Sequence, residues 1–219
     1  MPRIARIIAI GYPYHITQRG NCKQVVFNEE SDYSTYIRLL TKYSTEYRLS
    51  ILAYCLMPNH VHLITIPQKQ NSMARTFQVC HMKYAQYFNE KYNMSGHLWQ
   101  GRFYSCPLDE SHFSAAIRYV ENNPVRGKLV SSAENWPWSS ALAHCHRKDD
   151  MLSLNNIFQY LDIDDWKEYL TGSENQDDIK LIREYTLKGC PLGNISFIQK
   201  LEALCGRRLV PRLRGRPKK

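Results

Sequence analysis

The chain predicts an α+β fold, a ferredoxin-like β-α-β-β-α-β arrangement with helices on one face of an antiparallel sheet, and three observations lead there. Four short β-prone runs are punctuated by Gly, Asn and Pro. Two stretches of helical spacing separate the first run from the second and the third from the fourth. Only Pro58-Asn59 separates the second run from the third, so those two pair as antiparallel neighbours. The other face of the sheet is then left free for a ligand.

Each element has a local reason. Tyr14 to Gln18 (Y-H-I-T-Q) alternates in β-formers, and Arg19-Gly20-Asn21 breaks it, which gives a first strand and a turn. Ser31 or Asp32 caps a helix whose Tyr33, Tyr36, Ile37, Leu40, Tyr43 and Tyr47 keep helical spacing. Leu49 to Met57 reads as a buried strand, Pro58-Asn59 as a kink or tight turn, and His60 to Ile66 as the next strand. Ser72 caps a second helix carrying Met73, Phe77, Cys80, Tyr84 and Phe88, and Phe103 to Leu108 forms the fourth strand. Asp109 or Ser111 caps a third helix with an apolar stripe of Phe113, Ala116, Ile117 and Val120, which Pro124 stops.

The chemistry concentrates in Met57 to Ile64, M-P-N-H-V-H-L-I. Side chains alternate along a strand, so His60 and His62 share a face and form two-thirds of a divalent metal site. Taken alone, the pair fits a half-exposed strand with two solvated histidines better. A partner is available on the third helix, where Tyr119 and Asn123 lie one turn apart and present a phenol and an amide oxygen in one direction. A tyrosine that merely packs and an asparagine that caps the helix end form the plainer alternative. His112 lies on the same face as Tyr119 and reads as a surface histidine. For His15 and Gln18 on the first strand, a DNA contact and a plain polar position stand level.

Composition bounds the rest. At 219 residues and 43% hydrophobic content, the chain can bury a full core as one domain with an appendage or as two small ones. No apolar run approaches the roughly 20 residues that span a bilayer, so the expectation is a cytoplasmic protein with no membrane partner. The seven cysteines are widely spaced without a C-x-x-C and read as reduced fillers. Net charge splits into +8 over residues 1–148, −8 over 149–178 and +9 over 179–219. Basic blocks of this size are the electrostatic footprint of a nucleic-acid binder, whereas the acidic segment suits a linker or a cover. Beyond it, Ile179 to Leu187 and Ile195 to Leu204 read as short helices around a turn, a helix-turn-helix-like pattern. The last fourteen residues hold seven basic side chains, and Arg214-Gly215-Arg216-Pro217 looks like an AT-hook core, with a sequence-indifferent basic tail equally consistent.

Four motifs in order, M-P-N-H-V-H-L-I, H-L-W-Q-G-R-F (97–103), R-Y-V-E-N-N-P-V-R-G (118–127) and W-P-W-S-S (136–140), make the chain resemble the REP-associated tyrosine transposases of the single-tyrosine HUH superfamily. The resemblance covers Tyr12 to Ala143, and P-L-G (191–193) and the basic ending add to it. It implies that His60 and His62 hold Mg²⁺ or Mn²⁺, and that Asn123 is the third ligand at a position where many relatives outside this subgroup carry Gln. It further implies that Tyr119 attacks a scissile DNA phosphate, leaving a 5′-phosphotyrosine and a free 3′-OH. The implied partner is single-stranded or hairpin DNA such as repeated extragenic palindromes, bound by a monomer or a homodimer. Arg19, Arg102 and Arg126 in the first basic block and Arg207, Arg208, Arg212, Arg214 and Arg216 in the last are the expected DNA-binding residues. Protonation of the histidines should release the metal below about pH 6. The alternative function is a domesticated DNA-binding protein acting at palindromes without transposition. Intact His60, His62, Tyr119 and Asn123 favour the enzyme.

Overall fold

The computed structural model describes residues 6–152 and 154–209. Its centre is a four-stranded antiparallel sheet in the order β2-β3-β1-β4, made of β1 (Tyr14–Arg19), β2 (Leu49–Met57), β3 (His60–Pro67) and β4 (Tyr104–Pro107). Helices α1 (Glu30–Glu46) and α2 (Ser72–Lys91) cover one face, which gives the ferredoxin-like arrangement. Tyr14 and Ile16 of β1 and Val61 and Leu63 of β3 meet Tyr36, Leu40, Phe77 and Tyr84 there in one apolar cluster. The start of α1 is set by Glu29, two residues ahead of the nearer expected cap, Ser31. Its carboxylate and that of Asp32 make a reciprocal capping box.

The opposite face is not left free. Helix α3 (Glu110–Glu121) lays Phe113, Ala116, Ile117 and Val120 on it, and α7 (Gln176–Lys188) adds Ile179 and Ile182. The cause lies in the strands themselves. Ala53, Cys55, Ile64 and Ile66 make this face as apolar as the first, and such a surface is stable only when covered.

Asp109 caps α3 by accepting from the His112 backbone N–H at 3.0 Å. Pro124 does not end the helical path. It occupies the first turn of a short further helix, α4 (Asn123–Arg126), where its fixed φ and missing N–H cost nothing.

The remaining segments brace this framework. Trp136 to Ser140 runs along the edge of β2, with Leu56 N donating to Trp138 O at 2.8 Å and Ser140 N to Tyr54 O at 3.1 Å. Helices α5 (Ala141–His146) and α6 (Trp166–Thr171) follow. Within the acidic stretch Ile157, Trp166 and Leu170 are buried in the second cluster. Trp166 Nε1 donates to Glu121 Oε2 at 2.7 Å, and this fully buried carboxylate also binds His144 Nδ1 at 2.6 Å and the Ser140 hydroxyl. Helix α7 packs on β4, α3 and β1, whereas α8 (Ile195–Cys205) packs against Ile7 and Ala9 through Phe197 and Leu201. The two helices are thus held by different parts of the core.

Candidate active site

Strand register determines which polar groups meet. Antiparallel pairing sets His60 opposite Arg19 and His62 opposite Thr17, while Cys106 faces His15 and Tyr104 faces Thr17. Alternation then puts His15, Thr17, Arg19, His60, His62 and Tyr104 on one face. The His60 and His62 rings lie 4.9 Å apart, centroid to centroid. Helix α3 brings Tyr119 over them, edge-on to His62 at 5.5 Å and to His15 at 5.6 Å, and the tyrosine is 4% exposed. Asn123, at the start of α4, lines the same pocket of about 580 Å³ as His60, His62, Tyr104 and Tyr119.

The hydrogen bonds indicate which atoms face the pocket. His60 Nδ1 is 2.6 Å from Asn59 Oδ1, and His62 Nδ1 is 2.8 Å from His15 Nε2. In each ring Nδ1 is engaged, which leaves Nε2 as the nitrogen to offer a ligand. The Asn123 amide nitrogen donates to the carbonyls of Tyr119 at 3.0 Å and Val120 at 3.3 Å, so its oxygen is the uncommitted atom. Among the described residues no group of three or more His, Cys, Asp and Glu side chains is placed to hold a metal. A cation here therefore needs an amide oxygen beside the two imidazoles. Two neutral imidazole nitrogens and a carbonyl oxygen form a mixed donor set for one divalent cation, the imidazoles suiting a first-row transition ion and the oxygen Mg²⁺ or Mn²⁺, and the residues fit such a group.

Electrostatics favours the ligand forms. Burial, with the charge of Arg19 adding, lowers the His60 pKa to about 4, and burial alone lowers that of His15 to about 3. Burial, reinforced by the neighbouring His60 and His15, holds His62 well below the ordinary imidazole range. All three are neutral at physiological pH, the form that binds cations. Burial therefore keeps His60 neutral at pH values where an ordinary histidine takes up a proton. Around the phenol, the Arg126 guanidinium lies 4.4 Å from the Tyr119 ring centre and that of Arg183 lies 5.5 Å away. Arg183 Nε donates to Tyr119 Oη at 3.4 Å.

The other residues singled out in the sequence fall in several places. Arg19 is exposed and lines the pocket. Arg126 is half-buried, pairs with Glu174 Oε1 at 2.7 Å and donates to the Tyr119 carbonyl, so it is anchored beneath the tyrosine. Arg102 and Arg208 are exposed and Arg207 is half-buried, while Arg212, Arg214 and Arg216 lie outside the described residues. Gln18 belongs to the opposite face, where it is buried and donates to Gly101 O at 2.8 Å. His112 binds Asp109 Oδ1 at 2.6 Å. Sequence reasoning missed Arg183 and Thr186. They are three apart on one helical face, but nothing local indicates that this helix returns to the sheet. The contact of His15 with His62 was legible in principle, since the ferredoxin-like order places the first strand beside the third.

Comparison with known proteins bears on this geometry. Residues 9–123 match the model of the family described as IS200-like transposase (Y1_Tnp). A protein of Haemophilus influenzae described as a REP-associated tyrosine transposase is 28% identical over 125 residues, covering 50% of this chain and 69% of that protein. The solved structure of a REP-associated tyrosine transposase bound to a REP hairpin superposes with a TM-score of 0.55 at 16% identity, covering 75% of this chain and 96% of that one. The likeness to the solved structure is one of fold.

Proposed function

The chain belongs to the IS200-like transposase family, and from that premise we propose that it cleaves and transfers DNA strands on single-stranded or hairpin-forming palindromic DNA through a 5′-phosphotyrosine intermediate, with Mg²⁺ or Mn²⁺ as cofactor. The observation that carries this reading is the convergence of Tyr119, His60, His62 and Asn123 on one pocket of a single chain. A domesticated DNA-binding protein would have no use for all four.

His60 and His62 through Nε2 and Asn123 through Oδ1 would hold the cation, which neutralises charge on the phosphate oxygens when bound. Tyr119 Oη attacks the scissile phosphorus, the P–O3′ bond breaks, and the 3′-oxygen leaves as a hydroxyl with the proton the phenol gives up. The new phosphodiester links Tyr119 to the 5′ end and keeps the bond energy, so that a 3′-OH can later attack it and restore the phenol without a nucleotide cofactor. Arg183, which donates to Oη, aims the phenol oxygen and offers charge to the phosphate as the attack proceeds. Exposed Arg19, which lines the pocket, offers charge to the DNA backbone there. Because one chain supplies every group, a monomer suffices for cleavage. No helix among the described residues is long and apolar enough to cross a membrane.

An end-labelled palindromic hairpin incubated with the protein tests the proposal. Cleavage is expected with Mn²⁺ or Mg²⁺ and not after chelation. Tight hairpin binding without cleavage in either metal would favour the DNA-binding alternative.

A further inference from the structure

We propose that His15, backed by Thr186, is the positioning residue for His62, fixing both the tautomer and the aim of its Nε2. The inference rests on the metal reading above and goes beyond it by assigning a group on β1 and one on α7 that touch neither DNA nor cation.

His15 Nε2 lies 2.8 Å from His62 Nδ1, and His15 Nδ1 lies 2.7 Å from Thr186 Oγ1. The two rings are within 10° of parallel with centroids 5.0 Å apart. That separation nearly equals the nitrogen–nitrogen distance plus one ring diameter, so the rings meet edge to edge in one plane with their nitrogens in line. Two consequences follow. An ion between those nitrogens would have about half of 2.8 Å on each side, far short of the roughly 2.0–2.1 Å of a metal–imidazole bond, and with Nδ1 held by Thr186 both nitrogens of His15 are engaged in hydrogen bonds. In-line nitrogens at this distance share one proton in a hydrogen bond.

Only one direction of that chain leaves His62 able to bind a cation. If His62 Nδ1–H donates to His15 Nε2, then His15 carries its proton on Nδ1 and donates to the Thr186 hydroxyl, and His62 Nε2 keeps its lone pair. The reverse direction would put a proton on His62 Nε2 and close it. Both histidines are buried, His15 at 1% and His62 at 5% exposure, so water does not compete for these bonds. Asn59 holds His60 Nδ1 in the same way from its own turn, but His62 depends on a group that only the tertiary fold delivers. Thr186 thereby makes α7 part of the site's support. Partners of this kind, outside the ligands themselves, typically set metal affinity by 10–100-fold.

The test is Mn²⁺ binding by calorimetry on the full chain without DNA, comparing wild type, His15→Phe, His15→Gln and Thr186→Val. The expected result is a 10–100-fold weaker affinity for His15→Phe and a smaller loss for Thr186→Val. The Gln variant should recover much of the affinity, because its amide oxygen can accept from Nδ1–H. Unchanged affinity in His15→Phe, or equal losses in the Phe and Gln variants, would overturn the proposal. The second readout needs no variant: the nitrogen-15 spectrum of the metal-free wild type should show the His62 proton on Nδ1, and a proton on Nε2 would overturn the assignment. Failure of the wild type to bind Mn²⁺ would sink the metal reading itself, while the tautomer spectrum still decides the role of His15.

Discussion

Arg183 Nε lies 3.4 Å from Tyr119 Oη, so a side chain 64 residues further along the chain reaches the phenol. A guanidinium at that oxygen aims the phenol and neutralises charge that develops during attack on phosphorus. Arg183→Met keeps much of the stem and removes the charge, and single-turnover cleavage should slow by about 100-fold. Hairpin affinity should change by less than about tenfold, since the other basic groups that meet DNA stay in place. Equal cleavage rates for the two proteins would remove Arg183 from the chemistry.

Glu121 is the buried anchor beneath the tyrosine helix, two residues after Tyr119. Its carboxylate takes hydrogen bonds from Trp166 and Ser140 and pairs with His144. Truncation by Glu121→Ala strands three buried polar partners at once and should cost about 3 kcal/mol or more. Urea denaturation followed by tryptophan fluorescence measures it. A destabilisation below about 1 kcal/mol would mean that the acidic segment is held by apolar packing alone.

Acid sensitivity follows from the buried histidines. His81 is hydrogen-bonded to Tyr36 Oη at 3.0 Å, and burial lowers its pKa from the ordinary 6.5 to about 3. An unfolded chain takes up that proton below about pH 6.5 while the folded one does not until about pH 3, so stability is full above the first value and falls as pH drops between them. The limiting slope is about 1.4 kcal/mol per pH unit for each such histidine. His81→Gln should flatten the profile between pH 6 and 4 by about that amount, read from denaturant midpoints at a series of pH values. A variant with the wild-type slope would show that His81 is protonated in the fold.

The basic C-terminus should act on binding and not on cleavage. Deleting residues 210–219 removes Arg212, Arg214, Arg216, Lys218 and Lys219. For every phosphate that these side chains neutralise, the deletion flattens log affinity against log salt by about 0.9 on duplex or about 0.7 on single strands. Cleavage at saturating DNA should persist, because Tyr119 and the residues around it lie far upstream. An AT-hook would make the weakening greater for A·T-rich flanks than for G·C-rich ones. An unchanged salt slope would mean that the tail does not meet DNA.

What was legible in the sequence was whatever depends on local periodicity. The run from Leu49 to Met57 matches β2 residue for residue, and the other three strands differ by one residue, β1 and β3 at one end and β4 at both. The same-face placement of His60 and His62 followed from alternation alone. The covered second face was missed although its signal was present, since L-S-I-L-A-Y-C-L-M is nearly continuous in apolar residues and such strands are buried on both sides. Pro124 was read as a stop because proline ends helices from within, but it equally well begins one. Arg183, Thr186 and the three bonds to Glu121 are long-range, fixed by how α7 and the acidic segment fold back, and no window of neighbouring residues contains that information.

In the proposed reaction Tyr119 forms the covalent bond to DNA, and everything else about the site serves that step. The most direct measurement is to trap the protein on a labelled palindromic hairpin with Mn²⁺, digest both components, and locate the nucleotide-bearing peptide by mass spectrometry. The expected result is an adduct on Tyr119 through a 5′-phosphate, absent after chelation and absent in Tyr119→Phe, which should still bind the hairpin within about tenfold of wild type. An adduct on another tyrosine, with Tyr104 of the same pocket the nearest alternative, or an adduct that persists in Tyr119→Phe, would contradict it.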